Sequence, residues 1–362
     1  MTDLTQSARL DRIAGVILGT AVGDALGVPR EGLSRRRARR LFGDPPLQHA
    51  FVLGRGMISD DTEHTCLTGQ ALLRSPADPE RFARSLAWGL RCWLLGMPAG
   101  IGRATLRAIL KLWLGFPPAR SGVWSAGNGP AMRAALLGVC LDGGALRDYV
   151  RASTRLTHTD PRAEQGALLV ALAGRHGLER GAAGVNGLEF LQARMDEQGR
   201  DDPELQQSLL RLAEHLQRNA PAAELADALG LQAGVSGYIY HTVPLCLYCW
   251  LRWPGDFRRA VEEVIALGGD ADTTGAIVGG IAGATLGAQG IPSEWLDGLL
   301  DWPCSGAWMQ TLAARLAEQF PASGSGTGDG PVSFCWPGLL PRNLAFLALV
   351  LLHAGRRLLP PY

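Results

Sequence analysis

Aromatic residues are scarce in this 362-residue chain, 7% against 47% apolar residues in all, so alanine, leucine and glycine must carry its core. The alternating, β-branched pattern of strands is equally rare. Apolar residues recur instead at spacings of three and four, which predicts an all-α protein. Neither sign of charge is in excess, with 35 Lys and Arg against 34 Asp and Glu. That excludes the basic bias of a chain built for wholesale nucleic-acid binding, and it excludes an acidic tail. Seven cysteines, scattered and odd in number, make no disulfide framework; they read as reduced thiols and predict a cytoplasmic protein. Cys246 and Cys249 form a CxxC with no second pair nearby, which reads as one apolar helix face. The start, MTDLTQSARLDR, lacks the basic beginning and apolar core of a signal peptide. The longest apolar run, NLAFLALVLLHAG from Asn343, is shorter than the roughly 20 residues that a membrane span needs. It is expected to form a buried helix, and no membrane partner is expected.

Helical patterns are predicted over 10–26, from Asp60 or Asp61 onward, and over 80–95, 103–114, 129–141, 146–154, 162–175, 187–198, 203–217, 241–253, 256–267, 272–287 and 306–318. Residues 321–333, PASGSGTGDGPVS, have the composition of a flexible linker. The simplest organisation is one helical domain over 1–320, that linker, and a C-terminal apolar helical appendage over 334–362. Gly275, Gly279 and Gly283 recur every four residues. On a helix they leave one face nearly bare of side chains. Each glycine destabilises a helix interior by roughly 0.5–1 kcal/mol relative to alanine. Close backbone packing would offset that, so this helix is expected at the centre of the bundle.

Two clusters of carboxylates stand at the mouths of such helices. One is Ser59-Asp60-Asp61-Thr62; the other is Asp270-Ala271-Asp272-Thr273-Thr274. Taken singly, each is explained by capping, because acidic residues favour the unpaired NH groups and positive dipole of a first turn. Taken together with Glu31, they place five carboxylates near helices that should be buried, which requires a counter-ion. No His-Cys cluster accompanies them, and oxygen ligands alone suit Mg²⁺, Mn²⁺ or Ca²⁺. Five carboxylates nearly balance two divalent ions. A metal pair can fix a substrate's oxygens and lower the pKa of a water. No His is followed directly by Asp, which argues against a phosphohydrolase of the His-Asp type.

Five motifs in order carry a resemblance: GVILGTAVGDALGVPRE at 15–31, SDDT at 59–62, GNGPAMR at 127–133, LTH at 156–158, and GGDADTTGAIVGGIAGA at 268–284. Together they resemble the ADP-ribosylglycohydrolase family, which includes the dinitrogenase-reductase-activating glycohydrolase of nitrogen-fixing bacteria, and they span about residues 10–290. The segment SGYIYHTVPLCLY at 236–248 is similar to the bacterial, arginine-directed branch and adds Tyr238 as a substrate-side residue.

The resemblance implies a compact orthogonal helical bundle around a binuclear Mg²⁺ or Mn²⁺ centre. It implies metal ligands at Ser59, Asp60, Asp61, Asp270, Asp272 and Thr273, with Asp61, Asp272 and Glu31 at the chemistry. Glu31 matches the family's loop glutamate and would take a proton from the attacking water. Gly127, Asn128 and Gly129 match the turn that holds the distal ribose and pyrophosphate, and His158 matches a histidine beside them. Physical chemistry agrees, since the NH groups of a Gly-Asn-Gly turn opening a helix suit pyrophosphate.

The expected reaction is release of ADP-ribose from a modified protein side chain, arginine first. Alternatives are a serine, O-acetyl or nucleic-acid linkage, or an inactive ADP-ribose-binding homologue. Retention of every carboxylate argues against inactivity, and a nucleic-acid partner is not expected. An acid for the leaving group is left unassigned; Asp24 can play that part or simply cap its loop. The run Arg35–Arg40 reads as a solvated helix face, or as a basic patch that steers an acidic target.

Overall fold

The computed structural model describes residues 5–321 and 328–359. Its helices are α1 (Gln6–Gly27), α2 (Arg35–Phe42), α3 (Asp60–Arg74), α4 (Pro79–Leu95), α5 (Arg103–Trp113) and α6 (Pro118–Ser121). There follow α7 (Ala134–Cys140), α8 (Gly143–Arg155), α9 (Pro161–Gly184), α10 (Gly187–Arg194), α11 (Pro203–Gln217) and α12 (Ala222–Ala228). The last six are α13 (Ile239–Arg252), α14 (Phe257–Ile265), α15 (Ala271–Leu286), α16 (Ser293–Asp297), α17 (Gly306–Gln319) and α18 (Leu339–Arg356). Among the described residues the fold is all-α but for two two-residue strands, β1 (Leu33–Ser34) and β2 (Gly268–Gly269), paired antiparallel.

The core is organised by α1 and α15, which lie antiparallel with their backbones touching. A Cβ placed on Gly15, Gly19 or Gly23 would stand 2.3, 2.2 or 2.0 Å from the carbonyl oxygen of Gly283, Gly279 or Gly275. The glycine period seen in α15 is thus matched by one in α1, and neither helix tolerates a methyl group on that face. Both helices are buried almost end to end, and α15 sits at the centre as expected. The zipper also fixes polarity. It sets the first turn of α15, with Asp270 and Asp272, beside the last turn of α1, with Asp24 and Gly27.

Cys246 and Cys249 lie fully buried on α13, in keeping with an apolar helix face. The arginine run forms α2. Its Arg35 donates to the carbonyls of Leu267 and Leu231 and pairs with Asp227 at 2.7 Å, so this residue joins segments rather than facing solvent.

The C-terminal apolar run departs from the expectation of a buried helix. On α18, Leu339, Arg342, Asn343 and Phe346 are buried, while Leu344, Leu351 and Leu352 are exposed. With the turn before it, this helix (Trp336–Arg356) is long and apolar enough to cross a membrane by length and composition, as is Gln6–Arg30, whose apolar 18-residue stretch is 94% buried in the core. The middle of the expected linker lies outside the described residues. Its end is held: Gln70 on α3 donates to the Val332 carbonyl at 2.7 Å and accepts from the Val332 NH at 2.9 Å.

Candidate active site

Asp24, near the end of α1, organises the entry to α3. Its Oδ2 accepts from the NH of Ser59 at 2.8 Å, the NH of Thr62 at 3.2 Å and the hydroxyl of Thr62 at 2.5 Å. Burial raises its pKa to about 6 despite these donors, and its Oδ1 has no partner. The start of α3 is therefore capped by Asp24 from α1 together with Ser59, whose Oγ accepts from the Asp61 NH at 3.4 Å. Asp60 and Asp61 are left to face inward.

The two acidic clusters, some 210 positions apart in the chain, come together. Thr273 Oγ1 donates to Asp61 Oδ2 at 3.2 Å, and Ser59 Oγ donates to the same oxygen at 3.2 Å. Asp61 Oδ1, fully buried, has no partner. Asp60, Asp61 and Asp272 are all pushed well above the ordinary carboxylate range, first by burial and then by neighbouring carboxylates, Asp24 foremost for Asp60 and Asp61 and Glu31 for Asp272. Glu31 is exposed at the mouth, yet surrounding protein raises its pKa, with Asp270 adding repulsion and Arg357 opposing it. The Glu31 loop is pinned to the second cluster, since Gly32 NH donates to the Gly269 carbonyl at 2.7 Å.

A set of acids that oppose one another's ionisation, with the Oδ1 of Asp61 and of Asp24 unpartnered and two hydroxyls on the other oxygen of Asp61, suits a hard divalent cation. As the side chains stand, no three His, Cys, Asp or Glu close on one point among the described residues. The donor set fits an ion by its chemistry and by the unpaired Asp61 oxygen. Ser59, Asp60, Asp61, Asp270, Asp272 and Thr273 are the residues that would hold it.

Asp60, Asp270, Asp272 and Thr273, with Glu31, border a cavity of about 340 Å³, in the range of small-molecule sites. Its other wall is the 127–129 turn. Asn128 is the tie: its Nδ2 donates to Asp270 Oδ2 at 2.6 Å and to Thr242 Oγ1 at 3.0 Å, and its NH donates to the Gly237 carbonyl at 3.0 Å. His158 packs against both glycines; a Cβ on Gly127 would lie 3.0 Å from its Nε2, and one on Gly129 3.2 Å from its Cε1. Burial and the neighbouring Arg133 charge lower its pKa to about 3, so it is a neutral wall.

Tyr238 is placed differently. Gly237 lines the cavity, whereas the Tyr238 hydroxyl donates to Glu204 at 2.7 Å and accepts from Arg162 at 3.2 Å. Sequence reasoning also missed Arg133, fully buried, which donates to Ser153 and to the Gly129 carbonyl and so braces the turn from below. Its place in GNGPAMR was the available signal.

A separate, mostly apolar cavity of about 230 Å³ lies beside α3, walled by Cys66, Trp93, Cys304 and Leu339. Its one carboxylate, Glu63, is already satisfied by Trp93 Nε1 at 2.5 Å and by Arg342 at 3.4 Å. The carboxylate-lined cavity is thus the one equipped for chemistry.

A metal-compatible acid cluster facing a polar cavity in an all-α bundle defines a hydrolase-like centre. The chain belongs to the ADP-ribosylglycohydrolase family, whose model matches residues 5–326. It is 33% identical over 319 residues to a protein of Archaeoglobus fulgidus, covering 85% of this chain and 96% of that one. It is 29% identical over 306 residues to the ADP-ribosyl-[dinitrogen reductase] glycohydrolase of Rhodospirillum rubrum, covering 80% and 90%. Among solved structures, an ADP-ribosylglycohydrolase-related protein complex superposes with a TM-score of 0.62 at 29% identity, covering 86% of this chain and 98% of that one.

Proposed function

We propose that this chain is a divalent-metal-dependent hydrolase that splits the glycosidic bond between ADP-ribose and a protein side chain, acting on ADP-ribosylated proteins in the cytoplasm. The observation that carries this reading is the meeting of the two acidic clusters at Asp61, whose second oxygen has no partner. When bound, two Mg²⁺ or Mn²⁺ ions would neutralise the clustered carboxylates, orient the substrate's ribose hydroxyls and make a water more acidic.

The chain's own residues do the rest. In the 127–129 turn the Asn128 NH is taken by the Gly237 carbonyl and the Gly127 NH by Ser125 Oγ, which leaves the Gly129 NH for the pyrophosphate, and the Asn128 side chain holds Asp270 in register with the turn. His158, neutral and packed under the turn, keeps its shape without adding charge. Glu31, at the cavity mouth with a raised pKa, is placed as the base that takes a proton from the attacking water; a carboxylate of raised pKa is the better base.

The 236–248 segment resembles the arginine-directed branch, but it enters the cavity through Gly237 on the side of the 127–129 turn and so does not by itself select the linkage. Arginine and oxygen linkages share the ADP-ribose half of the site, so the wall across the carboxylates must separate them. The test is to incubate the protein with mono-ADP-ribosylated peptides of each linkage plus Mg²⁺ or Mn²⁺, and to follow free ADP-ribose by chromatography. Release from at least one linkage is expected. No release from any, by folded protein, would sink this reading.

A further inference from the structure

Two cavities meet at the carboxylates. One holds the 127–129 turn and His158. The other, of about 90 Å³, shares Glu31, Asp60 and Asp272 with it and is walled by Phe346, His353 and Arg357 of the C-terminal segment. That segment begins after residue 326, where the family model's match ends. One wall of the site is therefore built from chain that the family pattern does not cover.

This wall is fastened along its length. At the start of α18, buried Arg342 pairs with Asp301 at 2.6 Å and with Glu63 at 3.4 Å, and it donates to the carbonyl of Ile58, the residue before Ser59. Asn343 donates to the Gly96 carbonyl at 2.8 Å. Farther along, the His353 ring stacks on Phe51 at 5.1 Å, with its Nε2 2.8 Å from the Phe51 carbonyl. Just past the helix, Arg357 donates to the carbonyl of Pro29 at 3.0 Å, two residues before Glu31, while its own carbonyl accepts from Arg37. Its charge bears on both Glu31 and Asp272.

If ADP-ribose fills the first cavity, the departing group occupies the second. We propose that α18 and its end form the leaving-group wall, and that Arg357 is a specificity-determining residue that favours oxygen-linked over arginine-linked ADP-ribose. This rests on the hydrolase reading above. An arginine-linked substrate brings a guanidinium to a place where one already stands, and like charges held together away from water are disfavoured. The cavity's small size also favours a short, neutral group. For a hydroxyl leaving group the reaction balances simply. The bond from C1″ to the side-chain oxygen breaks and one from C1″ to the water oxygen forms. The proton that Glu31 takes from water ends on the departing oxygen.

The test compares kcat/KM for serine-linked and arginine-linked ADP-ribosyl peptides of equal length, in Mg²⁺ or Mn²⁺, for the wild type, Arg357→Gln and Arg357→Glu, with Tm measured alongside. The wild type should favour the serine linkage by about tenfold or more, and Arg357→Gln should shrink that ratio by about tenfold, Arg357→Glu further still. A wild type that prefers arginine overturns the proposal without need of any variant. So does an unchanged ratio in both folded variants. Inactivity of the wild type on both linkages overturns instead the hydrolase reading beneath it.

Discussion

Thr273 and Asp61, 212 positions apart, share a hydrogen bond of 3.2 Å, and this bond joins the first turn of α15 to the first turn of α3. Both helices are turned inward by α1: α15 through the glycine zipper and α3 through Asp24. Position and charge at this point follow from backbone packing many residues away.

Asp61 and Asp272 therefore lie where a cation would bridge the clusters. Asp61→Ala or Asp272→Ala should lower the rate of ADP-ribose release by more than about 10²-fold, the scale expected when a metal ligand is lost. In metal-free protein, Asp61→Asn should raise Tm, because it removes a buried charge that its neighbours oppose. Near-normal turnover together with an unchanged Tm would show these residues to be capping groups.

Asp24 makes the metal-free protein sensitive to pH. Its pKa in the folded protein is about 6, above the ordinary 3.8, so the folded state binds the extra proton between those values. Stability is then fully present near pH 4 and is lost as pH rises toward 6, by about 3 kcal/mol for this group. Asp60, Asp61 and Asp272, shifted the same way, extend the loss to higher pH. Thermal unfolding of chelated protein should show Tm falling from pH 5 to 7, and Asp24→Asn should flatten the slope. A Tm that rises over that range would contradict the placement of these carboxylates.

The zipper makes one substitution far more damaging than its size suggests. Gly279→Ala puts a methyl carbon 2.0 Å from the Gly19 carbonyl oxygen, with backbone on both sides and no side chain free to yield. A loss of about 3 kcal/mol or more is expected, the upper end of overpacking effects. Gly144→Ala meets nothing within 4 Å and serves as the control. Equal Tm values for the two variants would refute the close α1–α15 contact.

Asn128 ties the turn to the second cluster. Asn128→Ala leaves Asp270 and Thr242 without their shared donor. Calorimetry should show ADP-ribose binding weakened by about tenfold, the effect of one lost hydrogen bond to a charged group. Unaltered affinity would detach the turn from the ligand.

Much of this architecture was legible in the chain. The four-residue glycine period marked α15 as central, because only backbone contact compensates for so many glycines in a helix. Acidic pairs at helix starts marked the two clusters. Less was legible wherever a partner is chosen by tertiary packing. GDALG contains Asp24, but nothing local says that its carboxylate caps α3 and not its own loop. Tyr238 sits beside the cavity-lining Gly237, yet its ring turns to Glu204 and Arg162. The apolar run from Asn343 suggested burial on all sides. Its decisive residues were the polar ones, Arg342 and Asn343, whose partners Glu63, Asp301 and Gly96 lie far back in the chain.

The central claim is that the two clusters act together as a metal centre for hydrolysis. It is tested most directly by following ADP-ribose release from a mono-ADP-ribosylated peptide before chelation, after exhaustive chelation with EDTA, and after Mg²⁺ or Mn²⁺ is returned. The account predicts release that disappears with chelation and returns with the ion. Release that continues undiminished in fully chelated protein would contradict it.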